Sequence, residues 1–92
     1  MTAVTCTVTI VNQRGLHARA SAKFVGEVAA LPEGTRVTVS KDGSAAPGDS
    51  ILDLMMLGAA KGNEVQIAVE GPDADAVLAR LCALVEDGFG EE

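Results

Sequence analysis

The sequence predicts an α+β fold of the open-faced β-sandwich class, in which helices cover one face of a four-stranded, mainly antiparallel sheet. Four segments carry strand signals, three carry apolar residues at helical spacing, and they follow one another in the order βαββαβα. Because the strands alternate apolar and polar residues, only one face of the sheet needs a cover. A chain of 92 residues has the length of one domain, 1–92.

The four predicted strands are residues 5–10, 35–40, 44–46 and 64–70. In the first of them, Cys6, Val8 and Ile10 lie on one side and threonines on the other, which is typical of a half-buried strand. Asp42 and Gly43 favour a tight turn between the second and third strands. The sheet is therefore expected to have one face in contact with water.

The three predicted helices span residues 18–31, 50–58 and 73–87. Apolar residues recur at helical spacing in the first and third, where Pro32 ends the first helix and Pro72 marks the entry to the third. Gly88 is a stop signal for the third helix. Ser50 is expected to cap the short second helix, because Asp53 follows three residues later.

Composition excludes several classes of function. The net charge of −6 argues against binding nucleic acid or an anionic membrane, which requires an excess of Lys and Arg. No segment resembles a membrane span or a signal peptide, so we expect a soluble, cytoplasmic protein. Cys6 and Cys82 lie far apart without metal or redox spacing and are expected to be buried, reduced thiols. No metal-ligand spacing or nucleotide-binding loop is visible.

The only histidine, His17, stands between the first predicted strand and the first helix. The first N–H groups of a helix lack internal partners and the helix dipole is positive there, so this position suits an anion. A phosphoryl group on His17 would meet the N–H groups of Ala18 and Arg19, with the guanidinium of Arg19 or Arg14 nearby. These positive surroundings are expected to keep the imidazole neutral and nucleophilic. The alternative is a solvated loop histidine without a function.

Residues 15–21, Gly-Leu-His-Ala-Arg-Ala-Ser, resemble the active-site signature of the histidine-containing phosphocarrier (HPr) family. Residues 49–58, in which a serine leads a short apolar helix, resemble the second signature of that family. Two motifs at the right separation, with matching length and element order, extend the resemblance over nearly the whole chain. The resemblance implies the strand order 1-4-2-3.

The resemblance also implies a function in the phosphoenolpyruvate-dependent phosphotransferase system. His17 would accept a phosphoryl group on Nδ1 from phosphorylated enzyme I and donate it to an enzyme IIA, with Arg19 stabilising the phosphate. Ser50 would be the target of a bifunctional HPr kinase/phosphorylase. No cofactor is expected, and the carrier is expected to be a monomer. Ala18 and Ala20 stand where many relatives have a hydroxyl residue and a proline, and with the acidic composition they favour the nitrogen-related branch over the sugar branch.

A docking surface for these partners is expected at Leu16, Ile51, Leu52 and Met55. A helix of two turns cannot direct all of its apolar side chains toward one sheet, so some of them should be exposed. A competing hypothesis is a regulatory module that docks through the same side chains without phosphorylation. Catalysis by His17 as a general base is disfavoured, because no second catalytic group lies nearby in the sequence.

Overall fold

Four strands and three helices follow one another in the predicted order in the computed structural model, which describes residues 3–91. The strands are β1 (Val4–Thr9), β2 (Arg36–Lys41), β3 (Ser44–Pro47) and β4 (Glu64–Glu70). The helices are α1 (Ala18–Ala29), α2 (Ile51–Met56) and α3 (Ala74–Glu86), and a short 3₁₀ turn follows at Gly88–Gly90. The sheet has the order β1-β4-β2-β3 and all its pairs are antiparallel, which confirms the predicted fold.

Strand β4 lies inside the sheet, between β1 and β2. Ile67 of β4 faces Cys6 of β1 on one side and Val39 of β2 on the other. The side chain of Ile67 is fully buried, whereas the neighbouring Gln66 is exposed. This alternation with a period of two residues directs the apolar side chains to one face and leaves the other face in water.

The helices and the C-terminal turn cover the apolar face. Phe24 of α1, Leu54 of α2, Leu81 of α3 and Phe89 of the turn are almost completely buried in the same core as the inward-facing strand residues. Burial of a side chain of this size contributes about 1.5–3 kcal/mol. Phe24 and Phe89 are the only Phe, Tyr or Trp residues of the chain. Because Phe89 is almost completely buried, it holds the C-terminal segment against the core.

The helices are short, and α1 ends two residues before the predicted boundary, at Ala29. The N–H of Ala30 donates to the carbonyl of Glu27 and the N–H of Leu31 to the carbonyl of Val28, which tightens the last turn, and Pro32 then offers no N–H to continue it. None of the helices within residues 3–91 is long and apolar enough to cross a membrane.

The two cysteines form a disulfide between β1 and α3. The prediction of buried, reduced thiols is therefore wrong, and both residues are half-buried at the margin of the core. The sequence does not predict this pairing, because the two cysteines are 76 residues apart and meet only when α3 packs beside the edge strand β1. The disulfide ties Cys82, and with it the helix that leads to the C-terminal turn, to the edge of the sheet.

Removal of this cross-link should lower the stability of the fold. In the variant with Cys6→Ala and Cys82→Ala, we expect the free energy of unfolding to fall by about 2–4 kcal/mol, because the unfolded chain regains the freedom that the link restricts. Urea unfolding measures this difference, and a reductant should destabilise the wild type but leave the alanine variant unchanged. Two titratable thiols in the unfolded, unreduced wild type would contradict the disulfide.

Candidate functional site

A buried asparagine holds the loop that precedes α1. Asn12 is 1% exposed, and its Nδ2 donates to the carbonyl of Gly15 at 2.8 Å. The N–H of Gly15 donates back to the carbonyl of Asn12 at 3.2 Å, and the N–H of Leu16 donates to the carbonyl of Ala59 at 3.0 Å. These bonds tie the loop to itself and to the segment after α2, so the backbone that presents His17 is fixed.

Gly15 is the residue at which this loop reverses. Its φ is +63°, and a Cβ at this position would overlap the backbone of Ala59 and Ala60. A glycine is required for both reasons, since it has no Cβ and adopts a positive φ without strain.

His17 is the N-cap of α1. Its Nδ1 accepts a hydrogen bond from the N–H of Arg19 at 3.3 Å, while its carbonyl accepts from the N–H of Ser21 at 2.9 Å. Histidine is rarely the residue of choice for a cap, but here a ring nitrogen replaces the usual side-chain oxygen. The Nδ1 lone pair therefore points at the positive end of the helix.

The other ring nitrogen of His17 meets a carboxylate. Nε2 lies 2.7 Å from Oε2 of Glu91, and Oε1 of Glu91 accepts from Nδ2 of Asn12 at 3.0 Å. A ring that accepts at Nδ1 and lies beside a carboxylate at Nε2 carries its proton on Nε2, an assignment that follows from its partners. Nδ1 is therefore unprotonated, and its lone pair accepts only from the N–H of Arg19.

The C-terminal turn brings Glu91 to this position. Gly88, Phe89 and Gly90 all have positive φ values, of 68°, 59° and 74°. Such a conformation is strained for Phe89, but its ring is 1% exposed and its carbonyl accepts from Nζ of Lys23 at 2.7 Å. Burial and hydrogen bonding hold the turn, which directs the chain back to the start of α1.

Sequence reasoning missed Glu91, which is 74 residues from His17 and belongs to no motif. Two glycines around a phenylalanine were the only local signal of an ordered turn. The predicted surroundings of His17 were purely positive, and the structure adds a carboxylate to them. Desolvation raises the pKa of Glu91, but hydrogen bonds from His17 and Asn12, with the positive charges of a protonated His17 and of Lys23, outweigh it and leave this pKa lowered.

The predicted site residues around His17 fall into two groups. Ala18 and Arg19 are exposed in the first turn of α1, and Arg14 is exposed in the loop before it. Leu16 is 7% exposed and belongs to the core, so its side chain is not at the surface where it was expected to meet a partner. The reason is the pairing of Leu16 N–H with the segment after α2, which turns this side chain inward beneath the loop.

The second predicted cluster lies on α2, which packs beside α1. Ile51 and Met55 are partly exposed, and Leu52 is 72% exposed. Met56, at 82%, extends the same apolar surface, which we call the α2 patch: Ile51, Leu52, Met55 and Met56. Ser50 caps α2, since its Oγ accepts from the N–H of Asp53 at 3.2 Å as predicted.

Comparisons with known proteins agree with this fold and motif pattern. The family model "PTS HPr component phosphorylation site" matches residues 4–87. The phosphocarrier protein HPr of Pseudomonas aeruginosa is 42% identical over 84 residues, which cover 91% of this chain and 92% of that protein. The phosphocarrier protein NPr of Shewanella violacea is 37% identical over 91 residues, with 99% and 98% covered.

A solved structure is also similar over nearly its full length. The crystal structure of HPr-C-His from Thermoanaerobacter tengcongensis superposes with a TM-score of 0.88 at 36% identity, covering 97% of this chain and 98% of that chain.

Within the described part of the chain, no group of three or more His, Cys, Asp or Glu residues could hold a metal ion.

The requirement for glycine at position 15 is testable with a matched pair of variants. Gly15→Ala and Gly58→Ala both place a Cβ on a residue with a φ near +65°, but only the first meets backbone atoms. We expect Gly15→Ala to be less stable than Gly58→Ala by about 1–3 kcal/mol in urea unfolding, because of this overlap. Equal stabilities would show that the loop does not approach Ala59 as described.

The lowered pKa of Glu91 predicts the sign of a pH effect. A carboxyl whose pKa is lowered by folding stabilises the folded state above its unfolded pKa, and this contribution is lost as the pH falls through the folded pKa. ¹³C NMR of the Glu91 carboxyl should give a midpoint at lower pH in the folded protein than in the same chain in urea. An equal or higher midpoint in the folded protein would contradict the contacts with His17 and Asn12.

Proposed function

The chain belongs to the HPr family of phosphocarriers of the phosphotransferase system, and on this premise we propose that His17 accepts a phosphoryl group from phosphorylated enzyme I and passes it to an enzyme IIA. The observation that carries the proposal is the Nδ1 lone pair of His17, which is held at the N-terminus of α1. The protein would act as a monomeric, stoichiometric intermediate without a cofactor of its own.

The geometry supports transfer to Nδ1. The lone pair forms the new N–P bond while the bond from phosphorus to the donor breaks and its electron pair stays with the donor. The N–H of Arg19, which donates to Nδ1 before the reaction, would then be free to donate to a phosphoryl oxygen. The N–H of Ala18 also lacks an acceptor within the helix, so the phosphoryl group would meet two backbone donors at the positive end of the dipole.

Arg19 supports the same step through its guanidinium. Arg19 is exposed two residues after His17 and carries a permanent positive charge on a chain whose net charge is −6. A charge-assisted hydrogen bond from Arg19 would stabilise the phosphoryl oxygens as negative charge shifts during transfer. Arg14, which is exposed in the preceding loop, would add a second positive charge three residues before His17.

The α2 patch is the surface that would receive the partners. Four exposed apolar side chains on a helix of six residues form an apolar surface on α2, which packs beside α1, and two of them are methionines, which adapt to different partners. The same patch supports the second candidate, a module that regulates a partner by docking without phosphorylation. Binding that is unaffected by His17→Ala and by enzyme I would favour that second candidate.

Phosphorylation of Ser50 by an HPr kinase/phosphorylase would interfere with docking. Ser50 adjoins the α2 patch, and Asp49 and Asp53 already stand on either side of it. A phosphate would add a charge of about −1.5 to −2 there, next to both carboxylates and in the path of an acidic partner. Loss of label in Ser50→Ala, after incubation with such a kinase and ATP, tests this site.

The acidic composition of the chain and the alanines at positions 18 and 20 support an acceptor of the nitrogen-related branch. Relatives named HPr and NPr are both similar to this chain, so the choice of branch rests on the site. Faster transfer to a nitrogen-related enzyme IIA than to a sugar-specific one would support the assignment, and the reverse order would reject it.

Loss of His17 should abolish phosphorylation. Incubation with enzyme I, phosphoenolpyruvate and Mg²⁺ should give the wild type one acid-labile phosphoryl group, detected by mass spectrometry, and His17→Ala none. Arg19→Ala should slow the formation of the adduct by roughly tenfold or more, because a charged donor to the phosphoryl oxygens is lost. Arg36→Ala removes the same charge from the exposed sheet and is the matched control. Absence of an adduct on the wild type would refute the proposed function.

A further inference from the structure

We propose that Glu91 is a positioning residue for phosphoryl transfer: its carboxylate holds Nε2–H of His17 and thereby fixes both the tautomer and the direction of the reactive Nδ1 lone pair. The inference rests on the proposed function of His17 and adds a residue that none of the motifs contains. It follows from the contacts of the C-terminal segment, which the phosphocarrier signature does not reach.

The imidazole ring is held at both of its nitrogens. The N–H of Arg19 contacts Nδ1 at 3.3 Å and the carboxylate of Glu91 contacts Nε2 at 2.7 Å, so the ring cannot rotate without loss of one bond. A ring with its proton on Nδ1 would satisfy neither contact. Glu91 therefore selects the form of His17 in which the nucleophilic nitrogen is the one that faces α1.

The carboxylate also matches the charge that develops on the ring. When Nδ1 forms its bond to phosphorus, the ring keeps its proton on Nε2 and acquires positive charge, which the carboxylate of Glu91 opposes at 2.7 Å. When the phosphoryl group leaves, the electron pair of the N–P bond returns to Nδ1 and the ring is neutral again. No proton has to move in either direction, because the ring carries its proton on Nε2 before, during and after the phosphoryl group is bound to Nδ1.

The contacts of Glu91 itself show that its position is built into the fold. One carboxylate oxygen is bound to His17 and the other accepts from the buried Asn12, which also holds the loop before α1. The turn that carries Glu91 keeps Phe89 in a strained left-handed conformation, and Lys23 of α1 binds the carbonyl of that residue. Strain that is retained in this way is characteristic of functional sites.

Glu91→Gln and Glu91→Ala test the proposal, with Glu86→Gln as a control that removes one exposed carboxylate from the last turn of α3. The first measurement needs no partner protein: long-range ¹H–¹⁵N correlation spectra show which ring nitrogen of His17 carries the proton. We expect the Nε2–H form alone in the wild type and in Glu86→Gln. In Glu91→Ala, the Nδ1–H form should become detectable.

The second measurement is the rate of phosphorylation by enzyme I at several concentrations of the carrier. Glu91→Gln keeps an acceptor but loses the charge, and we expect kcat to fall roughly tenfold with little change in KM, because the docking surface is intact. Glu91→Asp, which keeps the charge on a shorter side chain, should recover part of the rate. Thermal unfolding of each variant checks that the fold is retained.

The outcomes separate this proposal from the proposed function. An unchanged kcat, or a change in KM alone, would overturn the role of Glu91 even if the wild type is phosphorylated. An unchanged His17 tautomer in Glu91→Ala would overturn it without any reference to transfer. If the wild type accepts no phosphoryl group, the proposed function fails, and the tautomer spectra still decide whether Glu91 positions the ring.

Discussion

The hydrogen bonds at the two nitrogens of His17 unite distant parts of the molecule. At Nδ1 the partner is the start of α1, and at Nε2 it is a carboxylate that arrives from the last residues described. Each of these two bonds depends on a different part of the fold. The N–H of Arg19 points at Nδ1 only if α1 begins directly after His17, and the carboxylate of Glu91 contacts Nε2 only if the C-terminal turn folds back toward α1. The sheet and helices can be understood as the frame that meets these two conditions.

Two buried residues connect that frame to the ring. Asn12 binds both the loop carbonyl of Gly15 and the carboxylate of Glu91, so the loop and the C-terminal turn share one side chain. Phe89 fills the core next to the helices and fixes the turn from inside. Apolar burial thus supplies the stability, and the polar contacts at its margin determine where Nδ1 of His17 points.

Most of the fold could be predicted from the chain, because its signals are local. Alternation in β4 and apolar spacing in α3 identify these elements without knowledge of their neighbours, and Ser50 acts as the expected cap. The strand order came from the resemblance, since strand patterns carry no information about which strands pair. The disulfide, the burial of Leu16 and the contact of Glu91 all depend on pairs of residues that meet only in the folded chain.

The site shows the same division. The position of His17 at the start of α1, two residues before Arg19, was predictable because these residues are adjacent in sequence. We propose that Nδ1 of His17 is the phosphoryl acceptor. A ¹⁵N–³¹P correlation spectrum of the phosphorylated protein tests it most directly: we predict coupling of phosphorus to Nδ1 and shifts of the Ala18 and Arg19 amides. Coupling to Nε2, or phosphorus on another residue, would show that Nδ1 of His17 is not the acceptor.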